Sequence, residues 1–441
     1  MKISKLTSLV FVLGAILYSP KVDAQNVPNI LDSARESRLL LVQVNPQDAE
    51  FYLKRSLTRL QSRDIKGAVE DLNQALRINP NYADAYLNRG ATRALLGDTK
   101  GAIEEYNQAI RLNPNNKSAY LNRGTAYRES GNFQGAVEDY NQALRIDPTI
   151  AYAHLNRGVA RSELGDFQGA IEDFNQALRL NPNDSKAYHN RGAARSELGD
   201  FKVAIEDFNQ ALNLDPNYEN AYLNRGATRT LLGDPKGAIK DFNQALNLNP
   251  NLAQAYYNRG AARHELGDLK GEIEDYNQAL RINPNYADAY LNRGATRRES
   301  GDVKGAIEDY NQALRINPNY AGAYNNRGLA LSLLGDMKGA IEDFNQAIRI
   351  NPKLILAYIN RCNILAQSGN VKGAIDDCNQ ALRINPNLGA AYVNRGVALA
   401  LSGDKKGAIT DLQKASELFQ EQRKIAEYQY TLNLIQQINN K

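Results

Sequence analysis

Residues 83–116 read ADAYLNRGATRALLGDTKGAIEEYNQAIRLNPNN, and the chain on both sides repeats variants of this stretch. Prolines fall at 46, 80, 114, 148, 182, 216, 250, 284, 318, 352 and 386, each 34 residues after the last; Pro20, Pro28 and Pro235 stand outside the series. We number each unit 1 to 34, with Ala83 at position 1 of the second unit. Leu-Gly-Asp at positions 14–16 stops one helix and caps the next. Asn-Pro at 31–32 ends the second helix, because proline cannot continue the hydrogen-bond ladder. Asp234-Pro235 fits the same frame, since proline suits the first helical position after a capping Asp. Small residues at 8, 20 and 27 (Gly90, Ala102, Ala109) let the paired helices approach, and Tyr86 and Tyr106 at 4 and 24 fill the remaining space. The chain is therefore read as all-α. Its 441 residues would suggest about three domains on length alone, but the period makes one array from 49 to 422. One helix pair cannot bury its apolar face, so stability comes from stacking on neighbours.

Tyr86, Gly90, Ala102, Tyr106, Ala109 and Pro114, at positions 4, 8, 20, 24, 27 and 32, resemble the tetratricopeptide repeat, and the likeness extends over eleven units. The resemblance implies an α-solenoid, a right-handed superhelix of helix-turn-helix repeats with a long concave groove. It also implies a non-enzymatic scaffold for partner proteins or extended peptides, similar to exported proteins abundant in cyanobacteria and other bacteria. Two departures stand out. Position 4 is mostly Tyr rather than Trp, and position 7 is Arg in every unit, from Arg55 to Arg395, where the family usually has Leu.

The flanks read differently. Lys2 and Lys5, an apolar run from Leu6 to Tyr18 and Val22-Asp23-Ala24 form the pattern of a signal peptide, residues 1–24. The run is too short to span a bilayer, which takes roughly 20 residues. The expected product is exported, to the periplasm, the exterior or another extracytoplasmic compartment, and does not span a membrane. Residues 25–48 are read as a front cap, with a helix at Ser33–Val44. Residues 423–441 are read as a closing helix whose stripe is Ile425, Tyr428, Leu432 and Ile435.

Composition narrows the chemistry. The net charge of +4, from 53 basic and 49 acidic residues, gives no electrostatic reason to expect nucleic acid. Three histidines (His154, His189, His264) sit in separate units at unrelated positions, so no metal site and no cofactor are expected. No nucleophile elbow, P-loop or dinucleotide fingerprint is present, and no catalytic residue is assigned.

Asparagine occupies position 6 in ten consecutive units: Asn88, Asn122, Asn156, Asn190, Asn224, Asn258, Asn292, Asn326, Asn360 and Asn394. Positions 2, 5, 6, 9, 12 and 13 share an arc opposite the glycine at 8, the arc that lines the groove in tetratricopeptide proteins. A side-chain amide donates and accepts at once, so such a row would hold an extended peptide by its backbone. The alternative reading is that these amides tie neighbouring helices together. Leu87, Leu121, Leu155, Leu223, Tyr257 and Leu291 at position 5, continued by Ile359 and Val393 and interrupted by His189 and Asn325, would either face the groove as an apolar stripe or pack on the next helix. Position 2 is basic only at Lys186, which disfavours a clamp for C-terminal carboxylates.

Opposite rows at position 7 (Arg) and position 23 (Asp71, Glu105, Asp139 and on to Asp411) are expected to form structural pairs, each worth roughly 0–1 kcal/mol if exposed. Cys362 and Cys378 share one unit at positions 8 and 24, level across the hairpin; either a disulfide or two buried thiols fits. Glu272 replaces the small residue at position 20, and a local splay or a pairing with Arg259 or Arg263 is expected there. The function expected is a peptide- or protein-binding scaffold assisting complex assembly in the cell envelope. The alternative is a structural protein that self-associates without a peptide ligand.

Overall fold

The computed structural model describes residues 48–440. The expected leader at 1–24 and the front helix at 33–44 lie outside the described residues. Among those described, all regular structure is helical. Eleven hairpins run from Ala49–Gln61 with Ile65–Ile78 to Gly389–Leu401 with Lys405–Glu421, and Ile425–Asn439 follows. They belong to two compact units, divided between Leu248 and Asn249. Within each unit the second helix of one repeat packs on the first helix of the next, and neighbouring first helices touch.

The turn chemistry is repetitive. The glycine at position 15 has φ between 76° and 95° in ten repeats, a left-handed geometry that a side chain resists. The Asp at 16 then caps the second helix, as when Asp98 Oδ1 accepts from the Gly101 N–H at 2.9 Å. Arg63 (φ 62°) takes the position-15 place in the first repeat, and Arg423 (φ 56°) is left-handed in the turn between the last hairpin and the closing helix.

The core follows from positions 8, 20, 24 and 27. Alanines at 20 and 27 and the rings of Tyr140, Phe174, Phe208, Phe242 and Phe344 are fully buried, each ring contributing about 1.5–3 kcal/mol. A Cβ on Gly158 would lie 2.6 Å from Phe174, and one on Gly226 2.6 Å from Phe242, so the aromatic at 24 demands glycine at 8. Repeat 10 solves the same contact covalently: Cys362 and Cys378 are disulfide-bonded with their Cα atoms 5.8 Å apart.

The array ends where its punctuation ends. Gln420 stands where earlier units have proline, and the last second helix runs 17 residues rather than 14. The closing helix packs Tyr428, Leu434, Ile435 and Ile438 against Val393, Leu412, Ala415 and Phe419. The expected stripe is thus corrected by rotation: Ile425 is 72% exposed and Leu432 37%. Ile425 is the first residue of the helix, ahead of the turn that reaches the last hairpin.

Candidate functional site

Each arginine at position 7 stacks on the tyrosine three residues before it where position 4 is Tyr, for example Arg225 over Tyr222 at 5.4 Å. That orientation aims the guanidinium at the carboxylate at 23 of its own repeat. All eleven pairs close to 2.5–2.8 Å. The expected pairing is present, but its setting differs from the exposed one anticipated, because the carboxylates are buried. Removing one partner of a buried pair costs far more than an exposed pair contributes. Nine of the arginines also reach backwards, Nη1 donating to the Asn at 25 of the preceding repeat, as from Arg157 to Asn141 (2.7 Å) and from Arg361 to Asn345 (2.5 Å). The recurrent Asn-Gln-Ala at 25–27 was the available signal for this link, and spacing alone did not reveal it.

A second arginine, at position 11, joins the same carboxylate in several repeats. Burial pushes Asp139, held by Arg123, above the ordinary carboxylate value. Burial acts on Asp173 too, but His154, Arg157 and Arg161 together hold it below that value.

The position-6 asparagines divide into two groups. Asn156, Asn224 and Asn292 are buried. Asn156 Nδ2 donates to Tyr152 O (2.8 Å), Asn224 Nδ2 to His189 Nε2 (3.0 Å) and Asn292 Nδ2 to the Tyr257 hydroxyl (2.9 Å). Asn224 and Asn292 thus tie neighbouring repeats together and Asn156 bonds within its own helix, so burial takes these three out of the expected ligand row. Asn88, Asn122, Asn190, Asn258, Asn326, Asn360 and Asn394 are half-buried. Asn88 Nδ2 donates to Asp84 O (2.8 Å), Asn360 Nδ2 to Asn325 Oδ1 (2.9 Å) and Asn394 Nδ2 to Ile359 O (3.3 Å). Asn258 and Asn326 instead accept, from Gln254 and Asn325.

Position 5 is largely core. Leu121, Leu223, Tyr257, Leu291, Ile359 and Val393 are buried, and Leu87 and Leu155 are half-buried against Tyr106 and Leu178 clusters. The expected apolar stripe is thus mostly consumed by packing. Where position 5 is polar, at His189, Tyr257 and Asn325, it partners the asparagine of the next repeat. This coupling decides the state of His189. Asn224 donates to its Nε2, so Nδ1 carries the proton and faces Asn190 Oδ1 (3.1 Å) and the Tyr218 hydroxyl (3.2 Å). Burial lowers its pKa to about 4.

Glu272 is fully enclosed, and its partners correct the expected ones. His264 Nδ1 lies 2.9 Å from Oε2, and Thr296 Oγ1 donates to Oε1 at 2.7 Å. Arg259 and Arg263 turn to Asp275 instead. The hydrogen bond to Glu272 raises the pKa of His264. His154 lies apart, 3.1 Å from Pro148 O. Among the described residues no cluster of His, Cys, Asp and Glu is arranged to hold a metal ion, and no helix is long and apolar enough to cross a membrane.

Comparison with known proteins gives a uniform result. A family model described as TPR repeat matches residues 58–97, 92–127, 124–165, 194–233, 228–267, 262–297 and 296–335. Two models described as Tetratricopeptide repeat match 151–184, 321–354 and 355–388, and 174–206. No curated protein matches the chain. Among solved structures, the yeast Tom70 is 18% identical over 89% of this chain and 95% of its own, with a TM-score of 0.44. MamA is 31% identical over 37% of this chain and 95% of its own (TM-score 0.35). YrrB, described as a TPR protein with an unusual peptide-binding site, is 22% identical over 42% of this chain and 96% of its own (TM-score 0.38).

Proposed function

The chain belongs to the tetratricopeptide repeat family of non-enzymatic protein-interaction scaffolds, and from that premise we propose that it is exported and holds extended peptide segments along its row of half-buried asparagines. The observation that carries this reading is the amide row itself, continuous through ten repeats and partly exposed in seven of them. Asn88, Asn360 and Asn394 spend Nδ2 on their own chain, which turns Oδ1 to an incoming backbone N–H. Backbone recognition of this kind carries weak sequence preference, as suits a scaffold assisting complex assembly in the cell envelope.

The test is selection of peptides by display against residues 25–441, followed by binding of the winners to an Asn88→Ala, Asn122→Ala, Asn190→Ala variant. The expected loss is about tenfold or more, since each lost amide contact removes roughly 0.5–1.5 kcal/mol. Equal binding by a folded variant overturns the row as the site. An empty selection, with sedimentation showing size growing with concentration, replaces this reading with self-association.

Export is supported by the pattern of residues 1–24 and by the Cys362–Cys378 bond, since disulfides persist in oxidising compartments. N-terminal sequencing of the exported product is expected to begin at Gln25; retention of Met1 overturns the cleavage.

A further inference from the structure

Five repeats contain a built guanidinium socket. In repeats 1, 4, 6, 7 and 8 the position-11 arginine (Arg59, Arg161, Arg229, Arg263, Arg297) donates Nη1 to the carbonyl oxygen of the glycine at 19, at 2.7–3.3 Å. The same group lies 2.8–3.3 Å from the carboxylate at 23 and 3.7–3.9 Å from the capping Asp at 16. One carbonyl and two carboxylates thus receive one planar fork.

The last three repeats replace this arginine with Leu331, Leu365 and Leu399. In repeats 9 and 10 the leucine joins the same core cluster as the apolar residue at 17: Leu331 with Met337, and Leu365 with Val371. Repeat 11 has Lys405 at that position, and its side chain lies in solvent. Beside Leu399 a cavity of about 460 Å³ stays open, and its lining includes Asp404, Gly407 and Asp411, the three acceptors of the socket. Asp411 takes Arg395 alone. Its side chain is 9% exposed, with Asp343 and Asp377 beside the other two leucines at 7%, against 2–4% for Asp173, Asp207, Asp241, Asp275 and Asp309, which a second arginine covers. Lys406 on the rim is no obstacle, because Lys236, Lys270 and Lys304 hold the same position in repeats whose sockets are filled.

We propose that this cavity in the last repeat is a receptor for an arginine side chain of a partner protein. The guanidinium would lie between Asp404, Asp411 and the Gly407 carbonyl, as the chain's own arginines do elsewhere, with Ile375 and Leu399 receiving the methylenes. Arginine is preferred to lysine because the acceptors match a fork rather than a point charge. The site uses positions 11, 16, 19 and 23 and no residue of the asparagine row, so it stands or falls independently of peptide binding there.

The probe is the capped tripeptide acetyl-Gly-Arg-Gly-amide, with the citrulline peptide as its neutral isostere, titrated into the full chain and read by the methyl NMR signals of Leu399 and Ile375. Saturable shifts with the arginine peptide are expected, at least about tenfold stronger than with citrulline, as a charge-assisted fork requires. Leu399→Arg restores the residue of the five filled repeats, so it should fold, melt higher and lose the binding. Asp404→Asn keeps the helix cap, as Asn132 and Asn370 do, but should weaken binding several-fold. Equal response to both peptides, binding that survives Leu399→Arg, or no saturable shift overturns the proposal.

Discussion

His189, in the unit that ends at Leu248, is a fully buried imidazole, and His264, in the unit that begins at Asn249, a half-buried one; both stand on first helices, and they answer protons in opposite directions. His189 meets neutral groups: Asn190, Tyr218, Asn224 and the backbone of Asn220. Burial without a counter-charge disfavours its charged form, and its pKa falls to about 4. His264 meets the buried carboxylate of Glu272, which raises its pKa. One residue type therefore fixes a neutral seam in one place and neutralises a buried acid in another. The difference lies both in the partner and in depth, since His189 is fully buried and His264 only half-buried.

The comparison is broken most severely by His264→Leu. Glu272 then keeps Thr296 but loses its cation, and the unit from Asn249 should lose about 3–5 kcal/mol, the cost of orphaning a buried charge. Hydrogen exchange resolved by repeat would register this in Ala253–Glu265 and Leu269–Ile282. Adding Glu272→Ala restores the residue usual at position 20 and should recover most of the loss; no recovery would mean that His264 is needed for its packing.

Acid sharpens the contrast. The His189 pKa is depressed on folding, so its contribution is complete above the unfolded value of 6.5 and is lost as pH falls towards 4, by about 3 kcal/mol. Exchange should accelerate over that window in Ser185–Glu197 and Glu219–Leu231, and His189→Leu should abolish the acceleration. The His264 effect is smaller and opposite in sign. Its pKa is raised on folding, so its stabilisation is complete below 6.5 and is lost as pH climbs through the raised folded value. Unfolding of that unit should become easier towards alkaline pH in the native chain and stay flat in Glu272→Ala. The smallest effect supplies a yardstick in each unit that ignores pH: Arg63→Gly and Arg423→Gly each relieve a left-handed arginine and should add about 1 kcal/mol at every pH.

Periodicity made the hairpins legible because proline, glycine and small residues act through the backbone, where position alone fixes the outcome. The pairing of Arg and acid rows was legible for the same reason: equal and opposite charges recur in register. What stayed hidden depends on direction rather than on spacing. Asn73 and its equivalents look like surface residues until the arginine of the next repeat is seen turning back to them. Asn224 and Asn292 look identical to Asn122 in the sequence, and only the His or Tyr of the repeat before makes them structural. Glu272 was visible as an anomaly, but two nearby arginines drew attention from His264, one turn from the hairpin's end. The closing helix was read with the right period and the wrong phase, because an apolar residue at its first position reaches no neighbour.

The backward reach of the position-7 arginine gives the array a sense of direction. Each guanidinium latches its own hairpin through the acid at 23, and nine of them also grip the upstream repeat through Asn at 25, so the two faces of a repeat are not equivalent. A repeat that melts withdraws its grip from the repeat before it and takes away the asparagine that the next arginine holds, so each neighbour loses one such bond and keeps its own latch. Within a unit, fraying therefore loosens the next hairpin in line by the same bond from either end. Such a chain opens like a zip from either end, each tooth being the arginine of one repeat set in the asparagine of the one before.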